Sequence, residues 1–159
     1  MSISKVYQTK SVKQTFNLGK SLAKKITSGQ VLALFGNLGA GKTVLAKGIA
    51  AGLGVKKIIT SPTFILMKIY NFQSTVNRQP STGLVNRRRS SVNKLIHIDC
   101  YRIKDFREVE AIGALEYFAR PDSVVVIEWA EKIKPLLPKN VLKIKISLKK
   151  NNNREIVVG

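Results

Sequence analysis

A chain of 159 residues, 44% hydrophobic, is long enough for one compact domain with a real core and too short for two. No apolar run nears bilayer-spanning length, "MSISKVYQTK" lacks the apolar centre of a secretion signal, and one cysteine, Cys100, excludes a disulfide framework; together these point to a cytoplasmic setting. The formal charge is +19, with no Asp or Glu before Asp99 and all nine acids between Asp99 and Glu155, so any carboxylate that serves a metal ion or a water nucleophile comes from the later part of the chain. The basic excess suits a polyanionic partner such as nucleic acid. Solvated, scattered lysines are an equal alternative.

In chain order, "SVKQTFNLGKSLAKKI" (11–26) predicts an amphipathic helix, with Ser11 and Gln14 as a capping box and Leu18, Leu22 and Ile26 as its apolar stripe. "VLALF" (31–35) is a continuous apolar run, as expected of a strand buried on both faces. The turn that follows fits G-x-x-x-x-G-K-[ST], from Gly36 to Gly41, Lys42 and Thr43, and leads into a helix with Leu45, Ile49 and Leu53 on one face and Gly54 as its stop. Glycines let such a turn curl with positive φ, so that consecutive N–H groups form a concave anion site at a helix start. This setting predicts phosphate binding by Gly36, Asn37, Leu38, Gly39, Ala40, Gly41, Lys42, Thr43 and Val44. Lys42 is placed to reach the β- and γ-phosphates, and the Thr43 hydroxyl to ligate Mg²⁺.

"KKIITSPTFILMKIY" (56–70) reads as a short apolar piece, a "TSPT" loop enforced by Pro62, and a β-rich run. In that loop Thr63 is either a hydroxyl that senses a γ-phosphate or a loop cap. Residues 71–94 are polar, rich in Ser, Asn and Arg, and without sustained periodicity, which predicts a basic, flexible insertion. Arg87, Arg88 and Arg89 form either an RNA-contacting arm or, preferably, a solvated charge run. "LIHIDCYRI" (95–103) alternates as a strand, with Ile96, Ile98 and Cys100 opposite His97, Asp99 and Tyr101. Cys100 is read as a packed thiol in preference to a nucleophile beside His97.

"KDFREVEAIGALEYFA" (104–119) predicts a helix with Asp105 and Glu108 as a capping box, "SVVVIEW" (123–129) a buried strand ending in an acid, and "NVLKIKISLKK" (140–150) with "REIVVG" a C-terminal antiparallel hairpin. A phosphate loop needs an acid at the end of a neighbouring strand. Glu128, after "VVVI", is assigned to Mg²⁺ directly or through water. Asp99 is assigned to the attacking water or the metal's outer shell. The structural alternatives are a lysine pair for Glu128, and an Arg102 pair or a turn cap for Asp99. His97 is a hydrogen-bonding neighbour. Trp129 is either core or an exposed contact anchor.

"GNLGAGKT", "SPTF", Tyr70, "HIDCYR", "IEW" and "LP", in this order, resemble the bacterial TsaE (YjeE) family of small ATPases over nearly the whole chain outside 71–94. The loop alone marks many nucleotide-binding proteins; the later series is far more specific. The resemblance implies a P-loop NTPase fold: a single α/β domain of three layers, with a central mixed sheet flanked by helices and a C-terminal antiparallel hairpin. It implies a cytoplasmic, ATP- and Mg²⁺-dependent hydrolase, weak alone. Such a protein serves threonylcarbamoyl modification of adenosine 37 in tRNAs reading A-starting codons, by acting with a TsaD–TsaB heterodimer and so touching tRNA indirectly. It carries the metal glutamate to Glu128, the aspartate to Asp99, the functional tryptophan to Trp129, and the catalytic set to Lys42, Asp99 and Glu128. Asn37 stands where the family often has Asp, and Ala130 where it usually has Pro. The rivals are a small-molecule kinase on the same fold, for which an arginine-rich segment between two strands is a poor lid, and a basic RNA-binding module with a structural nucleotide site.

Overall fold

The computed structural model describes residues 4–73 and 92–159. A seven-stranded mixed sheet runs in the order β1-β7-β6-β2-β5-β4-β3, with β1 Lys5–Thr9, β2 Val31–Phe35, β3 Met67–Asn71, β4 Lys94–Asp99, β5 Ser123–Glu128, β6 Leu142–Leu148 and β7 Arg154–Val158. The four central strands, β6, β2, β5 and β4, are parallel; β7, β1 and β3 join antiparallel at the sides. Helices α1 (Val12–Ala23) and α2 (Lys42–Leu53) cover one face over a core including Leu22, Leu32, Leu34, Leu45, Ile49 and Ile144. The other face holds Val31, Ala33, Ile96, Ile98, Val125 and Ile127 under α3 (Arg107–Ala111) and two 3-10 turns, Ala114–Tyr117 and Ala130–Leu136. The expected three layers are present.

β2 and β5 are buried along both faces, which is why they read as unbroken apolar runs. β6 alternates: Ile144 and Ile146 point inward while Lys143 and Lys145 meet solvent. The antiparallel pairing expected of it holds on its β7 side. On its other side β6 runs parallel to β2 and thereby carries the hairpin to the phosphate loop. β1, which has no periodicity signal of its own, adds to β7 by main-chain pairing from Lys5↔Val158 to Thr9↔Arg154.

Three expectations change. The helix expected over 104–119 is interrupted: α3 stops at Ala111, and Gly113, with φ 72°, turns the chain into a 3-10 segment. Half of the expected capping box is present: Glu108 accepts the N–H groups of Lys104 and Asp105 at 2.7 and 3.0 Å, but the Asp105 side chain accepts the Arg107 N–H at 2.9 Å rather than that of Glu108, and the residue before the helix is Phe106. In α1, Ser11 Oγ accepts the Gln14 N–H at 3.1 Å as expected, but Gln14 reaches back to the Lys10 N–H rather than to that of Ser11; the helix ends at Ala23, and Ile26 is buried beyond it. The polar segment is also shorter at both ends, because Asn71 pairs with Lys94 as the last rung of β3–β4. Arg87, Arg88 and Arg89, and the proposed insertion around them, lie outside the described residues.

α1 and α2 pack through glycines. A Cβ on Gly48 would stand 2.1 Å from the Phe16 carbonyl oxygen, and one on Gly19 would stand 2.5 Å from that of Leu45. Both obstacles are backbone, so a methyl group there forces the helices apart and disturbs the packing beneath them. Gly48→Ala is expected to destabilise the fold by about 2 kcal/mol despite its better helix propensity. A urea titration measures this as a lower midpoint with unchanged slope; an unshifted midpoint would show that the helices tolerate a wider spacing.

Candidate nucleotide site

The loop after β2 curls through Gly36, Gly39 and Gly41, whose φ angles are 144°, 76° and 107°. A side chain on Gly36 would collide with the Ile146 carbonyl oxygen at 2.3 Å, so β6 presses the loop's entry from behind. The Ala40 N–H closes a turn onto the Asn37 carbonyl at 3.2 Å. α2 starts at Lys42 with Thr43 and Val44 in its first turn, where helix geometry leaves main-chain N–H groups without intrahelical partners. Leu38 is 73% exposed at the loop's tip.

Lys42 folds over its own loop. Its ammonium donates to the carbonyls of Gly36 at 2.5 Å and Asn37 at 2.9 Å and lies 3.6 Å from the centre of the Trp129 ring. Burial pulls its pKa below the usual lysine value; the carboxylates of Glu131, Glu128 and Asp99 oppose that shift. Trp129 takes up a left-handed conformation, φ 58°, directly after β5 and also meets the Tyr101 ring at 4.9 Å between centroids. It is partly buried and packed on the core, so of its two alternatives the core contact is present.

The strand order separates the two acids. β5 neighbours β2, and Glu128 lies opposite Leu34; β4 is one strand further out, with Asp99 opposite Glu128. The adjacency criterion therefore falls on Glu128. Its side chain is 2% exposed and carries no lysine. One oxygen accepts the Thr43 hydroxyl at 2.7 Å, and the other lies 2.8 Å from His97 Nε2. A carboxylate only accepts, so Nε2 carries the proton. Nδ1 is buried and has no hydrogen-bond partner among the described residues.

Asp99 serves a different set. Its Oδ2 accepts from the hydroxyls of Ser61 and Thr63, the latter at 2.5 Å, and its Oδ1 caps the turn at the Tyr101 N–H at 2.9 Å. The turn-cap alternative for Asp99 is thus present, and the Arg102 pair is not: Arg102 stacks over Phe64 at 4.3 Å. Thr63 belongs to Asp99 rather than to Lys42. Cys100 is buried, and desolvation with the nearby Asp99 charge pushes its thiol up to about 12.

Lys42, Thr43, Asp99, Glu128 and Trp129 thus gather at the carboxyl ends of β2, β5 and β4, with Thr63 latched on through Asp99. Ser61 and Arg154 were not singled out by the sequence. Ser61 stands two residues before Thr63, so the motif itself held the signal. Arg154, whose Nε donates to the Ala40 carbonyl at 3.2 Å, is separated from it by 114 residues and carries no local signal. A hydroxyl and a carboxylate in contact form a hard-oxygen pair suited to Mg²⁺, which takes few protein ligands and completes its shell with phosphate and water oxygens. Among the described residues no cluster of three His, Cys, Asp or Glu side chains offers a closed metal cage, and none is needed for that ion.

A parallel-centred sheet with a glycine loop leading into a helix, and acids at the ends of adjoining strands, defines a fold of the P-loop NTPase type. A crystal structure titled as YdiB of Bacillus subtilis superposes with a TM-score of 0.72 at 30% identity, covering 99% of this chain and 86% of that one. The family described as "Threonylcarbamoyl adenosine biosynthesis protein TsaE" matches residues 9–156, and the chain belongs to it. The tRNA threonylcarbamoyladenosine biosynthesis protein TsaE of Bacillus subtilis (strain 168) is 37% identical over 94% of this chain and 82% of its own length. That of Treponema pallidum (strain Nichols) is 33% identical over 95% and 97%. The chain is therefore a protein of tRNA threonylcarbamoyladenosine biosynthesis, and no helix among the described residues is long and apolar enough to cross a membrane.

The Cys100 environment yields a direct check. The folded protein is expected to resist thiol-specific reagents at pH 8 and to react fully only once unfolded. The folded thiol's pKa lies above the ordinary value of 9.0, so it contributes stability that is complete below pH 9 and lost as pH rises towards 12. Stoichiometric labelling of native protein at pH 8 would show Cys100 to be accessible.

Proposed function

We propose that the chain is a Mg²⁺-dependent ATPase. It acts with a TsaD–TsaB heterodimer in the cytoplasm and supports threonylcarbamoyl modification of adenosine 37 in tRNAs reading A-starting codons. The observation that carries this proposal is the 2.7 Å hydrogen bond from Thr43, at the mouth of the glycine loop, to Glu128, from the neighbouring strand's end and 85 residues later. It joins the two groups that a nucleotide's divalent ion needs, next to a buried lysine.

Each residue then has a role set by its surroundings. The amides of residues 36–44 and the start of α2 hold the phosphates, and Lys42 leaves its two loop carbonyls to neutralise the β- and γ-oxygens. Thr43 and Glu128 would hold Mg²⁺, which when bound offsets the charge developing on the transferred phosphoryl group. His97 fixes the Glu128 carboxylate from behind with its Nε2 proton, so the other oxygen is oriented towards Thr43. Asp99 orients the attacking water, and the Ser61 and Thr63 hydroxyls that hold its Oδ2 connect that function to the loop at 60–66.

Two outcomes test this proposal. Glu128→Ala is expected to keep Mg·ATP binding within a few-fold and to lower turnover by about two orders of magnitude, ~2.7 kcal/mol in activation free energy. Wild-type turnover in that variant removes Glu128 from the chemistry. Reconstitution with tRNA, threonine, bicarbonate, ATP, the TsaD–TsaB pair and the enzyme making threonylcarbamoyl-adenylate is expected to show multi-cycle modification only when this chain is present. Equal yields without it would refute the functional assignment.

A further inference from the structure

The outer wall of the glycine loop is built by the two ends of the chain. Arg154 opens β7 opposite Thr9 of β1, and its guanidinium reaches forward to two carbonyls: Nε donates to Ala40 at 3.2 Å and Nη1 to Asn152 at 3.0 Å. Asn151 and Asn152 hold left-handed φ angles of 56° and 57° in the β6–β7 turn, so a tight turn delivers the second carbonyl. A Cβ on Gly41 would stand 3.2 Å from Arg154 Nε and 3.7 Å from the Thr15 methyl group. Thr15 is itself fixed, buried and hydrogen-bonded to Thr9 at 2.7 Å. Ala40 and Gly41 therefore bear on a wall made from β1, α1 and β7.

The charge on this arginine has no counterion among the described residues. Its sequence neighbour Glu155 is paired with Lys149 at 3.1 Å. Both mapped hydrogen bonds go to neutral carbonyls, and a guanidinium has donors left over. A carbonyl drawn outward by a charged donor leaves the loop's amides facing the other way, into the concave side. A fixed, uncompensated positive charge against the loop also favours an anion there.

We propose that Arg154 is a positioning residue of the nucleotide site: by anchoring the Ala40 carbonyl it holds the phosphate loop in its anion-binding curl and sets nucleotide affinity rather than turnover. This rests on the nucleotide-binding role assigned to the loop above. It makes the C-terminal hairpin part of the site, although no residue of that hairpin belongs to the loop motif. Lysine is not equivalent here, because a point charge reaches one of two diverging carbonyls where the planar fork reaches both.

Titration calorimetry with a Mg-bound, slowly hydrolysed ATP analogue, together with steady-state hydrolysis, tests the proposal at one fixed ionic strength. Arg154→Ala is expected to weaken binding about tenfold and raise KM equally, as for one lost charge-assisted hydrogen bond. Its kcat is expected to stay within twofold of wild type, with the nucleotide-free melting temperature unchanged. Arg154→Lys is expected to fall between the two. Unchanged affinity in Arg154→Ala overturns the proposal, as does a fall in kcat at unchanged KM, or a lowered melting temperature that alone accounts for the loss. If the wild type itself fails to bind the nucleotide, the loop's role falls, and the failure is not specific to Arg154.

Discussion

The hydrogen bond between Thr43 and Glu128 is the contact on which the rest of the site depends, and its geometry is a matter of register. β2 and β5 pair in parallel, with Leu34 opposite Glu128, so the acid comes level with the strand end from which the loop departs. A slip by one residue would turn Glu128 to the other face of the sheet and separate it from the hydroxyl. The register is held by the two cores: Val124 and Val126 point to the α1–α2 side, and Val125 and Ile127 to the opposite side. The apolar run of β5 therefore does more than fill space; it sets the height of a carboxylate.

Placing an acid in that position is costly without partners, and the surroundings show how the cost is offset. Glu128 and His97 are each all but sealed from solvent, and each would be unfavourable alone. Together with Thr43 they satisfy both carboxylate oxygens. Asp99, equally buried, is satisfied by two hydroxyls and one main-chain N–H. The two acids lie side by side on adjacent strands with separate partner sets, so their surroundings differ. Lys42 is the positive member of the group, and the Trp129 ring under its ammonium supplies attraction without consuming a carboxylate.

The legible parts of the sequence were those in which one local rule governed several neighbouring residues. The strand–loop–helix around Gly36–Thr43 combined an apolar run, a spacing and a helical stripe, and all three elements are present. The apolar run ending at Glu128 exposed both a strand and its acid. Where rules competed, the signal misled: Asp105 and Glu108 form good helix-start chemistry, but Gly113 turns the chain nine residues after Lys104 and leaves a five-residue helix. Contacts made across the fold had no local trace. β1 acquires its strand character from β7, and nothing around "KVYQT" announces that partner. The choice of Glu128 over Asp99 was already legible in the apolar run before it; that β5 rather than β4 lies beside β2 is decided by tertiary packing.

The stacking of Trp129 on Lys42 has one more consequence. The chain contains a single tryptophan, and its ring lies 3.6 Å from the ammonium that a phosphate would draw away. Indole emission is sensitive to a cation so close to the ring, so the protein carries its own optical label at the mouth of the loop. Under the nucleotide-binding role proposed above, occupancy of the loop would be followed in real time by ultraviolet excitation, without attaching a dye or altering a residue.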